Sequence, residues 1–286
     1  SPNAIVVAKN ASPLVIGLGA GETLCGSDIP ALLAHTRDML FLEDNEIAEL
    51  RANGVRIETV EGQPVERAAK RIDWSPVLAE RGGFKHFMLK EIHEQPRAIE
   101  DTLRGRIDLT GGDIHEQEIG ISSEFAKNAG RVYLVACGTS HHAAIAGRYW
   151  IEQLAKMPAV VELASEVRYR EPVFSPNDLV VAISQSGETA DTLAAVKTAK
   201  AQGAKIVSIA NVVDSALPRT ADASLYTHAG PEIGVASTKC FVAQLAALLM
   251  LAVYLGRRRG TLDENHAREV LQALVEIPNH MRTVLG

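Results

Sequence analysis

The stretch Leu179-Val180-Val181-Ala182-Ile183-Ser184-Gln185-Ser186-Gly187-Glu188-Thr189 decides the fold. Its first five residues, all apolar, read as a strand buried on both faces. A turn with three hydroxyls and a carboxamide follows, and then a helix-like run over 190–202 that stops at Gly203. The first N–H groups of a helix lack intrahelical partners, and the helix dipole favours an anion there by about 0.3–1 kcal/mol. Strand, hydroxyl turn and helix can therefore hold a phosphate monoester through neutral donors, because the turn has no Lys or Arg. Ser and Thr are also ordinary helix caps. On this turn alone, a cap and a phosphate cradle account for the residues equally well.

Working outward, the same alternation continues. Residues 132–136 form another continuous apolar strand, followed by a helix over 141–154. Val160-Val161, residues 205–210 and residues 224–227 supply further strands, and long helices are expected over 237–255 and 262–284. Strands alternating with helices predict an α/β fold with a doubly wound parallel sheet, whose ligands sit at the carboxyl ends of the strands. A second loop, Cys137-Gly138-Thr139-Ser140, delivers hydroxyls from such an end to a helix start. Gly138 and Gly187 allow the backbone close to an anion. Hydrogen bonds to a charged acceptor contribute about 1.5–3 kcal/mol each, so several hydroxyls can hold a sugar phosphate without a cation. A third loop, Gly234-Val235-Ala236-Ser237-Thr238-Lys239, offers more hydroxyls, and Ser237 reads equally as the cap of the next helix.

The first 73 residues read differently. Short strands over 4–8, 14–16, 39–42 and 55–60, with a turn at 61–63, make them β-rich, and Asp28 is placed to cap a helix over 29–35. Residues 47–50 are too short to assign. The turn-forming residues 73–83 mark a domain boundary. Residues 84–103 have helical spacing, with Pro96 expected to split them into two helices. Residues 104–123 are polar and read as a surface excursion.

Bulk properties narrow the function. The chain has 286 residues, 47% hydrophobic and 22% charged, with a formal charge of −6. Its longest basic run is Arg257-Arg258-Arg259, which argues against nucleic-acid binding. No apolar run reaches the ~18 residues of a membrane span, and 241–255 reads as a buried core helix. Cys25, Cys137 and Cys240 are odd in number and far apart, which fits neither a disulfide framework nor a zinc ribbon and points to a reducing cytoplasm. His141 and His142 are adjacent, so a helix points them about 100° apart and they cannot chelate one metal. They read as a helix cap and a surface residue. Gly17-Leu18-Gly19-Ala20-Gly21-Glu22 imitates a dinucleotide fingerprint but lacks its third glycine. No metal or cofactor is expected.

Taken together, Cys137-Gly138-Thr139-Ser140, residues 184–192 and residues 232–239 resemble the sugar isomerase (SIS) domain. Lys90-Glu91-Ile92-His93-Glu94-Gln95-Pro96, Ser12-Pro13-Leu14-Val15-Ile16-Gly17 and Ser27-Asp28 extend the likeness to nearly the whole chain. In this combination the chain resembles the isomerizing glutamine–fructose-6-phosphate aminotransferase family. The resemblance implies a three-layer αβα SIS domain with a parallel, flavodoxin-like sheet over 113–286. It implies linker and opening helices over 74–112, and a β-rich remnant of an Ntn-type glutaminase domain over 1–73. It further implies binding of a hexose 6-phosphate, fructose-6-phosphate or glucosamine-6-phosphate, through Cys137, Gly138, Thr139, Ser140, Ser184, Gln185, Ser186, Thr189, Val235 and Ser237. A homodimer is implied as well. The family's N-terminal cysteine nucleophile, general-base Glu, ring-opening His and Schiff-base Lys have no counterpart here, so no residue is assigned as catalytic. The chain is expected to bind the phosphosugar weakly and to catalyse neither half-reaction alone. The rival reading is a non-catalytic SIS module that senses a phosphosugar and regulates a partner. A stand-alone aldose–ketose isomerase would need Glu166 or Glu232 as acid or base, and Glu166 is expected to end a strand and pair with Arg168 or Arg170.

Overall fold

The computed structural model describes residues 3–10, 12–29, 31–72, 81–170 and 172–286. The chain divides into two compact units, 1–85 and 86–286. The expected boundary over 73–83 falls mostly outside the described residues.

Among its described residues, the regular elements of the first unit are all strands. Its strands are β1 (Ile5–Lys9), β2 (Val15–Leu18), β3 (Thr23–Gly26), β4 (Asp38–Phe41), β5 (Glu46–Arg51), β6 (Gly54–Thr59), β7 (Pro64–Val65) and β8 (Lys70–Arg71). They form two antiparallel sheets, β1-β5-β6-β7 and β3-β2-β4-β8. Ile16, Leu40 and Leu42 from one side and Ala48, Leu50 and Ile57 from the other share one core. Residues 47–50 thus belong to a six-residue strand, alternately buried and half-buried. The glycine pattern at 17–21 is a hairpin turn, closed by Gly19 N–H donating to Glu22 O at 2.9 Å, with β2 and β3 antiparallel. It is no dinucleotide loop. Where a helix is expected over 29–35, the described residues 31–35 form turns. Asp28 Oδ1 does accept from Ala31 N at 3.0 Å, but the bonds beyond mix i−3 and i−4 acceptors. Thr36 Oγ1 donates to Leu18 O at 2.6 Å and ties the segment down before a regular turn propagates.

The second unit opens with α1 (Phe87–Leu103), one uninterrupted helix that contains Pro96. Proline has no N–H to give Ile92 O, and Gln95 Nε2 donates to that carbonyl at 3.1 Å instead. The expected break does not occur, and the carbonyl left free by the proline is satisfied. Residues 104–123 are not a surface excursion. They form the hairpin β9 (Ile107–Asp108) and β10 (Asp113–Ile114), then α2 (Glu116–Ile119), and bury Ile114, Ile119 and Ile121 almost completely. Several of their charges are paired. The buried Arg106 donates to Thr102 O at 2.7 Å and to Glu118 at 3.3 Å, and Arg258 donates to Asp113 at 2.7 Å.

After α3 (Ser123–Asn128) come β11 (Arg131–Ala136), α4 (Gly138–Trp150) running into a π turn at Ile151–Ala155, and β12 (Ala159–Leu163). Next are α5 (Ala164–Arg170), β13 (Asp178–Ser184), α6 (Ala190–Ala201), β14 (Lys205–Ala210), α7 (Ala216–Thr220) and β15 (Ala223–Tyr226). The long helices α8 (Lys239–Arg259) and α9 (Glu264–Leu285) finish the chain. The five strands are parallel in the order β12-β11-β13-β14-β15, the flavodoxin-like order. Period-two alternation sorts each strand between two cores. Leu134, Val181 and Ile209 join α4 and α8 on one face, while Val135, Val180 and Ile206 join α5 and α6 on the other. Helices on both faces give the expected three-layer αβα architecture.

By length and composition α8 could cross a membrane, although its longest wholly apolar stretch could not. Of its most apolar 18 residues, 78% are buried within this unit, against α1, α4 and the π turn, so its apolar surface is already covered. Glu166 lies exposed on α5 and ends no strand. Arg170 pairs with Glu162 at 2.5 Å and Arg168 with Asp191 at 2.9 Å.

Candidate functional site

Parallel pairing brings the first two loops together. Ala136 stands in register with Ile183, so Cys137 and Ser184 leave adjacent strand ends side by side. Cys137 is the N-cap of α4 in extended conformation. Gly138 follows with φ +56° and nothing near where a Cβ would be. Thr139 is exposed and Ser140 is buried in the first turn. His141 and His142 lie one turn further on, so neither is the cap. Their rings meet edge to face with centroids 6.0 Å apart, and His141 Nδ1 is buried with no partner among the described residues.

The second loop is a ring of hydroxyls centred on Ser184, which is only 3% exposed. Ser184 Oγ accepts from Gly187 N at 3.0 Å and shares a hydroxyl–hydroxyl bond of 2.9 Å with Thr189. Ser186 Oγ accepts from Glu188 N at 3.2 Å. Thr189 is the N-cap of α6, yet its side chain makes no cap bond. The hydroxyl faces the loop rather than the helix, which separates this turn from an ordinary serine cap. Gly187 has φ +67°, and a Cβ there would lie 2.7 Å from Ser215 Cβ and overlap Ser215 Oγ. Glu188 leans away and accepts from Ala216 N at 2.8 Å, capping α7.

Asn211, which the sequence reading missed, ties the second loop to residues 227–230, just ahead of the third loop. This buried residue follows β14. Its N–H donates to Gln185 O at 3.1 Å and its Nδ2 donates to Gly230 O at 2.7 Å. Asn211 Oδ1 accepts from Ala229 N at 2.8 Å and from Thr227 Oγ1 at 3.1 Å. Val235 is fully exposed. Ser237 is not the helix cap, because Thr238 holds that position without a side-chain bond. Glu232 caps α8 instead, accepting from Thr238 N at 2.9 Å and Cys240 N at 3.2 Å. Ser237 Oγ and Thr238 Oγ1 are buried without a partner among the described residues. Buried hydroxyls ordinarily find partners, so orphans at a loop mark a place for a ligand or water. Burial, and secondarily the Glu232 carboxylate, push the Cys240 thiol well above its usual range, so it stays neutral. With Glu232 committed to the helix end and Glu166 exposed on α5, neither is placed for isomerase acid–base chemistry.

No group of three or more His, Cys, Asp or Glu among the described residues is arranged for a metal. Nothing in sequence spacing could flag Asn211, Ser215 or Glu91, because each acts across long stretches of chain.

Residues 126–254 match the family described as SIS domain. The chain carries a SIS domain. Over all of its length it is 51% identical to a glutamine–fructose-6-phosphate aminotransferase [isomerizing] of Symbiobacterium thermophilum, of which it covers 47%. Over 97% of its length it is 46% identical to the enzyme of the same name from Clostridium tetani, covering 46% of it. The chain thus spans about half the length of these relatives. The solved C-terminal domain of glucosamine-fructose-6-phosphate aminotransferase from Francisella tularensis superposes with a TM-score of 0.66 at 40% identity, over 70% of this chain and 56% of that one. The three loops built above lie at the strand ends of this SIS domain or lead into its last helix.

Proposed function

We propose that this chain is the hexose-6-phosphate-binding part of an isomerizing glutamine–fructose-6-phosphate aminotransferase, together with the end of its glutaminase domain. The whole enzyme would take ammonia from glutamine and convert fructose-6-phosphate into glucosamine-6-phosphate, in the cytoplasm and as a dimer through its isomerase half. The single observation that carries the reading is the hydroxyl ring around Ser184, whose Thr189 hydroxyl bonds within the loop and caps no N–H of the helix that follows. Ser184, Ser186 and Thr189, with Gln185, hold the phosphate. Ser140 joins them from the neighbouring strand end, where Cys137, Gly138 and Thr139 line the sugar, and Val235 and Ser237 line it from the third loop. No residue of this chain is assigned to bond making or breaking, and no cofactor is invoked. The first unit favours this reading over a regulatory phosphosugar sensor, which has no need of a second, β-rich unit.

Titration calorimetry with fructose-6-phosphate tests it. Micromolar to millimolar binding is expected, with free fructose far weaker. Alanine at Ser140, Ser184 or Thr189 is expected to weaken binding about 10- to 100-fold each, since each removes a bond of about 1.5–3 kcal/mol to a charged acceptor. Unchanged affinity in all three variants would sink the assignment.

A further inference from the structure

We propose that Glu91 is the positioning residue of the third loop, and that its carboxylate sets where Val235 and Ser237 stand in the phosphosugar site. This rests on the reading of the three loops as that site. Glu91 lies on α1 and is 2% exposed. Its Oε1 accepts from Ile233 N at 2.6 Å and Gly234 N at 3.1 Å, and its Oε2 is 3.2 Å from the same Gly234 N. A buried carboxylate needs compensating donors, and two backbone N–H groups of the loop supply them. Hydrogen bonds to an ionised acceptor are the stronger kind.

Gly234 makes the same point independently. Its φ is not positive, so backbone freedom does not explain the glycine. A Cβ at 234 would lie 2.5 Å from Glu91 Oε2 and 3.6 Å from Met88 Cα. Glycine is needed here because the carboxylate occupies the space. A second strut stands one turn along the same helix face. Glu94 Oε2 accepts from Lys239 Nζ at 2.6 Å, and Lys239 is 3% exposed. Positions 91 and 94 are neighbours at i, i+3. One rigid helix therefore grips the loop at 233–234 and again at 239, leaving 235–236 exposed between the grips. A loop fixed at both ends loses less freedom when it closes on a ligand, and its affinity is correspondingly higher.

The test uses the full chain, with hydrogen exchange at Ile233 and Gly234 measured beside fructose-6-phosphate titration. In Glu91→Ala, exchange at both amides accelerates and affinity falls about 10-fold or more, because the released loop must be ordered when the ligand binds. Glu91→Gln keeps an acceptor at Oε1 and recovers most of that affinity. Gly234→Ala behaves like Glu91→Ala and decides the matter if the latter does not fold. Ser184→Ala loses affinity with normal exchange at 233 and 234. Wild-type affinity in Glu91→Ala or Gly234→Ala, or a Gln variant no better than Ala, would overturn the proposal. A wild-type chain that binds no phosphosugar overturns the reading of the site itself.

Discussion

In Gly187→Ala, fructose-6-phosphate binding is expected to fall below detection. The melting temperature of the SIS domain is expected to drop by about 5–15 °C, equivalent to roughly 2–4 kcal/mol. Two costs combine. A side chain at φ +67° is strained in itself, by about 1–2 kcal/mol for an L-residue in the left-handed region. The added methyl also collides with Ser215, whose hydroxyl is held by Val212 O at 2.8 Å and cannot move freely. The loop must shift, and Gly187 N is one of the groups bonded to Ser184 Oγ. The hydroxyl ring and the helix start are displaced together. Calorimetry and thermal denaturation of one variant read both effects. Near-normal affinity would mean that the ring adapts and that the site is not organised by this turn.

Leu251→Ala is expected to destabilise the same domain by about 2–5 kcal/mol, as deletion of a buried leucine does when its surroundings cannot collapse. Leu251 is wholly buried in the middle of α8, within the core shared by α4, α8 and that face of the sheet. Its consequence for binding should differ sharply. It stands twelve residues from the start of α8, about 18 Å along the helix. At a temperature where the variant remains folded, affinity should be within about twofold of wild type, because distant sites act independently. Leu251→Met, which conserves volume, should cost under about 1.5 kcal/mol. A loss of affinity in folded Leu251→Ala would show that α8 transmits strain to the third loop.

The central sheet could be read from the chain because its strands are uninterrupted apolar runs. A strand buried on both faces leaves no other pattern, as in Val180, Val181 and Ala182, all wholly buried. The hydroxyl loops could be read because strand ends and helix starts are local features. What escaped was non-local compensation. Pro96 tends to end a helix by its own chemistry, yet α1 runs through it, with Gln95 Nε2 supplying Ile92 O with the donor that proline lacks. Residues 104–123 look solvated by composition, yet Arg106 is buried because Thr102 O and Glu118 receive it. Helix α5 was missed because Glu166, Arg168 and Arg170 mask its two buried positions, Ala164 and Val167. Glu91 stands in a segment that carries the family likeness, but its role could not be read, since its partners lie more than 140 residues away. Local rules describe what each segment prefers, and these cases turn on what a distant partner permits.

The hydroxyl ring around Ser184, proposed above to hold the phosphate, contains no Lys or Arg, and Lys239 is held by Glu94. That sets how the site responds to ionic strength. A pocket built from ammonium or guanidinium groups loses affinity as salt screens its charges, over a Debye length of about 10 Å at 0.1 M. Oriented hydroxyls and backbone N–H groups act over contact distances and are hardly screened. The surrounding chain carries a net charge of −6, so the far field repels a phosphorylated sugar. Added salt therefore removes a small barrier instead of an attraction. Capture of the ligand should hold steady or rise slightly as ionic strength increases, the opposite sign to a cationic phosphate site.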